Sequence, residues 1–111
     1  MSAVITEDTR QMGRVKAAEK DELLDGQTKI LNVYGRSVAL FKIGGRYFAI
    51  ANACLHRGGP LGEGQVKGHE VTCPWHGWKF NLEDGSFSVI PTLRVKTYKV
   101  EQNGDGVFIE V

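Results

Sequence analysis

Long apolar runs are missing from this chain. No stretch of its 111 residues approaches the roughly 20 apolar residues that cross a bilayer, and residues 1–13 hold no apolar signal core. A dominant charge is missing too: 14 Lys and Arg face 13 Asp and Glu, interspersed, for a net +1. That balance leaves no electrostatic footprint for nucleic acid or a lipid surface. Cysteine is reduced to two residues, and a chain of this length folds on its own core without a disulfide framework. A cytoplasmic protein is expected, with no nucleic-acid and no membrane partner. Lys20-Asp21-Glu22-Leu23 spells a retention signal, but such signals are read at a C-terminus and this one is internal.

What is present is β pattern and glycine. The length suits one domain, residues 1–111, with 1–12 expected as a flexible tail. A first strand is expected within 12–18 and a short turn or loop over 19–26. A three-strand meander follows at 28–33, 37–43 and 46–51, the last two joined by Gly44-Gly45 as a two-residue hairpin turn. Further strands are expected at 70–72, 78–82, 86–90, 95–101 and 107–111. Short strands at close intervals with almost no helical period predict an all-β sandwich or small barrel of antiparallel sheets. Seven of the 14 glycines fall between Gly58 and Gly85, so residues 52–81 read as a loop-rich insertion.

That insertion carries both cysteines and two of the three histidines. Cys54-Leu55-His56 is followed after sixteen residues by Cys73-Pro74-Trp75-His76, so each of two loops offers one thiolate and one imidazole. Three arrangements use such a set. A disulfide between Cys54 and Cys73 would leave the histidines incidental. A structural Cys₂His₂ zinc site usually pairs Cys with Cys and His with His on separate knuckles, whereas each loop here mixes them. Mixed pairs suit a centre of two inequivalent metals, the thiolates converging on one and the imidazoles on the other.

The segments Cys54-Leu55-His56-Arg57-Gly58-Gly59-Pro60-Leu61 and Cys73-Pro74-Trp75-His76-Gly77-Trp78-Lys79-Phe80 resemble the cluster loops of the Rieske iron–sulfur family, and the similarity extends over residues 13–111. The resemblance implies stacked antiparallel sheets with a cluster-binding subdomain inserted between strands. It implies one [2Fe–2S] cluster with Cys54, His56, Cys73 and His76 as metal ligands. Two thiolates make the oxidised cluster formally neutral and the reduced one singly negative, so it is easier to reduce than an all-thiolate cluster. High-potential members carry an extra cysteine in each loop and Ser and Tyr hydroxyls near the sulfurs. Those positions here correspond to Gly59, Trp75, Trp78 and Phe80, which predicts a potential near the low end of the Rieske range, roughly −150 mV. Leu55 and Asn81 depart mildly from the usual loops, without touching the ligands.

An oxygenase needs a mononuclear iron held by two His and a carboxylate, and only His69 remains after the cluster is liganded. The chain is therefore expected not to be an enzyme. It resembles free-standing Rieske ferredoxins that pass single electrons from a reductase to a terminal oxygenase. Two other readings stand beside it: a small subunit bound to an assimilatory nitrite reductase, and a zinc-stabilised interaction module without redox function. By the same resemblance His56 and His76 would face outward, with Leu55, Pro60, Leu61, Pro74 and Trp75 as an apolar rim for the partner. Gly58, Gly59 and Gly77 would let backbone N–H groups approach the cluster, and Pro60 and Pro74 would stiffen the loops. Arg57 and Lys79 read as solvated charge before steering groups, Trp78 and Phe80 as packing beneath the loop, and His69 as a surface residue.

Overall fold

The computed structural model describes residues 4–5, 14–55, 58–104 and 106–110, and among them there is no α-helix. Eleven strands run in chain order: β1 (Val4–Ile5), β2 (Val15–Glu19), β3 (Thr28–Val33), β4 (Arg36–Ile43), β5 (Arg46–Ala51), β6 (Gln65–Lys67), β7 (Glu70–Thr72), β8 (Lys79–Asn81), β9 (Thr97–Tyr98), β10 (Val100–Asn103) and β11 (Gly106–Ile109). They form a five-stranded sheet in the order β1-β3-β4-β5-β9, a three-stranded sheet β10-β11-β2 and a second three-stranded sheet β6-β7-β8. All pairings are antiparallel except β1 with β3.

The five-stranded sheet is covered on both faces, and β4 shows why. Val38 and Leu40 point to one core with Leu31, Ala49, Val107 and Ile109, while Ala39 and Phe41 point to another with Phe48, Ile50, Val71 and Phe80. A central strand buried on both faces reads as a continuous apolar run rather than an alternating one. Residues 38–41 are accordingly all buried. The first core is closed by β2 and β11. The second is closed by residues 52–81, whose Leu61, Val71, Cys54 and Cys73 belong to it.

The meander falls where the sequence places it, with β3, β4 and β5 in continuous register. Two expectations are corrected. Residues 86–90 form no strand: only isolated bridges, Phe80 with Phe87 and Ser86 with Arg94, precede a bend at 88–90. Its apolar residues, Val89 and Ile90, find no covering layer and stay exposed. The expected strand 95–101 is two strands in different sheets, β9 on β5 and β10 on β11, parted at Lys99. β6 was not expected because Gln65 and Lys67 flank one apolar residue; it forms as the partner of β7. Within the expected tail, Val4 and Ile5 pair with Asn32 and Val33. The other residues of 1–13 lie outside those described.

Candidate metal centre

Two loops carry the residues that the sequence offers as donors. The first, residues 54–59, leaves β5 and returns through Pro60 to a 3₁₀ turn, Leu61–Glu63. Asn52 brackets this excursion. Its N–H donates to Ser37 O (3.0 Å), its carbonyl accepts from Leu61 N–H (2.7 Å), and its side-chain Oδ1 accepts from Gly62 N–H (2.6 Å). Ala53 and Pro60 form a β-bridge just inside it. The second loop, residues 73–78, is the connection between β7 and β8.

The loops are built alike. In each, the cysteine N–H donates to the carbonyl five residues on, Cys54 to Gly59 (2.9 Å) and Cys73 to Trp78 (2.7 Å). The glycine four residues on donates back to the cysteine carbonyl, Gly58 to Cys54 (2.8 Å) and Gly77 to Cys73 (3.0 Å). Gly58 and Gly77 hold φ of +73° and +77°, a region that costs an L side chain roughly 1–2 kcal/mol. The shared Cys-x-x-x-Gly spacing was a signal for this equivalence beyond the Cys and His spacing itself.

Cys54 and Cys73 are buried, 4% and 3% exposed, in the core under the five-stranded sheet, and they are not disulfide-bonded. His76 is exposed at the loop surface, and His56 and Arg57 lie outside the described residues. Among the described residues no three His, Cys, Asp or Glu side chains come together to hold one ion. The third histidine, His69, stands apart: its Nδ1 meets Glu83 Oε2 at 2.9 Å and its ring packs 5.2 Å from that of Phe48. It is an exposed residue, as the sequence suggests.

Of the apolar rim, Leu55 and Trp75 are exposed, at 46% and 55%, and Pro74 is exposed with them. Leu61 is not part of it. At 0% exposure it anchors the 3₁₀ turn in the core, so that expectation is corrected. Trp78 and Phe80 pack beneath the loop as expected, Trp78 stacked on Phe87 with ring centroids 4.1 Å apart. A third loop was missed. Ser88 N–H donates to Lys79 O (2.9 Å), which ties the start of this segment to β8. It presents Val89, Ile90 and Leu93 to solvent. Apolar residues around Pro91 in a segment otherwise read as strand were the available signal.

Gly59 and Trp75, the positions at which the resemblance puts the paired cysteines of high-potential members, face each other across the two loops. A Cβ on Gly59 would stand 3.0 Å from Trp75 Cδ2 and 2.8 Å from Cys73 Sγ. The donor chemistry fits an iron–sulfur centre: two buried thiols, one from each of two equivalent loops, with an imidazole on the solvent side.

Fold and loops together define the class as a β domain of antiparallel sheets in which two equivalent loops each bury one thiol. A family model described as the Rieske [2Fe-2S] domain matches residues 13–99. The chain belongs to that family, and its cofactor is one [2Fe–2S] cluster. It is 29% identical over 98 residues to the ferredoxin component of the naphthalene 1,2-dioxygenase system of Pseudomonas putida, covering 87% of this chain and 94% of the relative. It is similar to the solved ferredoxin of carbazole 1,9a-dioxygenase from Nocardioides aromaticivorans IC177, with a TM-score of 0.81, 27% identity, and coverage of 87% of this chain and 96% of that one. It also matches a chain in a complex of reduced oxygenase and oxidised ferredoxin of carbazole 1,9a-dioxygenase, with a TM-score of 0.79, 26% identity, and coverage of 86% and 99%.

Proposed function

We propose that this chain is a one-electron carrier that takes an electron from a reductase and passes it to a terminal oxygenase. Cys54 and Cys73 would hold one iron and His56 and His76 the other, within one domain whose insertion spans 52–81. The bound cluster supplies a site that accepts and releases a single electron at low potential. The observation that carries the reading is the split in exposure: both thiols are buried while His76 reaches solvent. The chain insulates the thiolate side in its core and leaves the imidazole side to meet a partner. Exposed Leu55, Pro74 and Trp75 surround that side with the apolar surface a small, transient redox encounter uses, typically under about 1,200 Å².

No turnover of its own is assigned to the chain. The match over nearly the full length of ferredoxin components supports that assignment. A cytoplasmic setting agrees with two buried cysteines kept as thiols, and no helix among the described residues is long and apolar enough to cross a membrane.

The test is anaerobic purification, followed by iron and sulfide analysis, EPR of the dithionite-reduced protein and gel filtration. The expected result is two irons and two sulfides per chain, an EPR signal only in the reduced state, and elution without a bound enzyme. Cys54→Ser, Cys73→Ser, His56→Ala and His76→Ala should each lose the signal, whereas His69→Ala should keep it. Colourless protein with stoichiometric zinc would end the redox reading.

A further inference from the structure

We propose that Trp75 is the clasp that holds the two ligand loops together, its indole seated on Gly59 and Cys73 so that the thiols stay positioned for the cluster. The proposal rests on the assignment of Cys54 and Cys73 as ligands made above. It starts from the way each loop is closed. The backbone hydrogen bonds of each loop close that loop on itself, Cys54 with Gly58 and Gly59, Cys73 with Gly77 and Trp78. No disulfide joins the two. Each loop supplies one thiolate and one imidazole, so each iron would take one ligand from each loop. Any separation of the loops therefore strains the ligation of both irons at once.

Gly59 is where the loops meet. It is buried, and unlike Gly58 it is not among the residues with positive φ, so its lack of a side chain is a matter of space rather than backbone freedom. The space is taken from the opposite loop: a Cβ there would lie 2.8 Å from Cys73 Sγ and 3.0 and 3.1 Å from Trp75 Cδ2 and Cγ. Contacts under 3.0 Å do not occur for real Cβ atoms, so the Gly59 backbone is already in close packing with both side chains. Trp75 is 55% exposed, yet its Cγ and Cδ2 atoms lie against the Gly59 backbone. The side chain thus touches the opposite loop while more than half of its surface stays open to a partner. A rigid, two-torsion aromatic suits such a role because little conformational freedom is lost in fixing it.

The experiment uses the holoprotein with Trp75→Ala, Trp75→Phe, Gly59→Ala and the double variant, following cluster loss as bleaching in the presence of a chelator. EPR of the reduced state and far-UV circular dichroism are recorded alongside. Trp75→Ala should bleach at least several-fold faster than wild type with its β signal intact, and its reduced-state EPR spectrum should be broadened or shifted. Trp75→Phe should return both toward wild type. Gly59→Ala should also bleach faster, and in the Trp75→Ala background its effect should shrink, because the added methyl then meets only Cys73. Wild-type bleaching in Trp75→Ala overturns the clasp, as do effects that simply multiply in the double variant. A Trp75 that served only as docking surface would slow electron delivery to a partner and leave bleaching unchanged, which also overturns it. Wild-type protein without a cluster would instead overturn the function proposed above.

Discussion

Trp78 lies flat on Phe87, ring centroids 4.1 Å apart and planes 7° from parallel. The stack joins the residue that closes the second ligand loop to the segment leading into the exposed Val89-Ile90 loop, and Phe80 completes it at 5.5 Å from Phe87. Phe87→Leu keeps most of the apolar volume and loses the stack, so it should cost about 1 kcal/mol. Urea denaturation of anaerobically prepared protein reads the shift. An unchanged midpoint would show that the rings merely share a space.

Leu55 and Leu61 separate surface from anchor. Leu61 is fully buried under the 3₁₀ turn, so Leu61→Ala should cost about 2–5 kcal/mol and shorten the lifetime of the cluster. Leu55 is 46% exposed, and Leu55→Ala should change stability by no more than about 0.5 kcal/mol while slowing electron delivery to an oxygenase. Denaturation and stopped-flow measurements on the same two variants distinguish the roles.

The midpoint potential should lie near roughly −150 mV, the low end for two-His clusters. Phe80, fully buried, and Trp78 bring no hydroxyl to the site. His76→Cys adds an anionic ligand, so in protein that retains its cluster the potential should fall further. A wild-type value above zero in a redox titration would refute this.

Acid should weaken the fold through three carboxylates whose pKa values lie below the ordinary range. Glu22 is lowered chiefly by its hydrogen bond with Lys29, at 2.8 Å, and then by the Glu19 N–H. Asp25 is lowered by the Gly45 and Gly44 N–H groups, and Asp84 by Ser86. A depressed folded-state pKa gives stability that is complete above the unfolded value and lost as pH falls through the folded one. The triple variant Glu22→Gln, Asp25→Asn, Asp84→Asn should therefore melt lower than wild type at neutral pH. The gap should be full above the ordinary carboxylate range and close only as pH falls below that range, through the lowered folded-state values. A gap independent of pH would assign the effect to packing.

Much of the fold was legible because its signals are local. The Gly44-Gly45 turn and the apolar runs on either side set the register of β4 and β5 without help from elsewhere. The errors arose where a partner decides. Residues 86–90 have a strand's composition but no neighbouring strand to complete them, and 95–101 divides because two sheets compete for one segment. β6 has little apolar character and exists because β7 lies beside it.

At the site, sequence alone put forward the candidate donors: one Cys and one His in each of two glycine-bearing loops, a pattern that spacing expresses because each loop is short and closed by its own hydrogen bonds. Only the tertiary structure decided which loop residues face where. Leu55 and Leu61 are both leucines of one loop region, one outward and one at 0% exposure, and no periodicity in an irregular segment separates them. Nor does spacing announce that Gly59 must stay empty for Trp75 and Cys73, which come from another part of the chain. Contacts between loops depend on how the sheets beneath them stack, and that stacking is a property of the whole core.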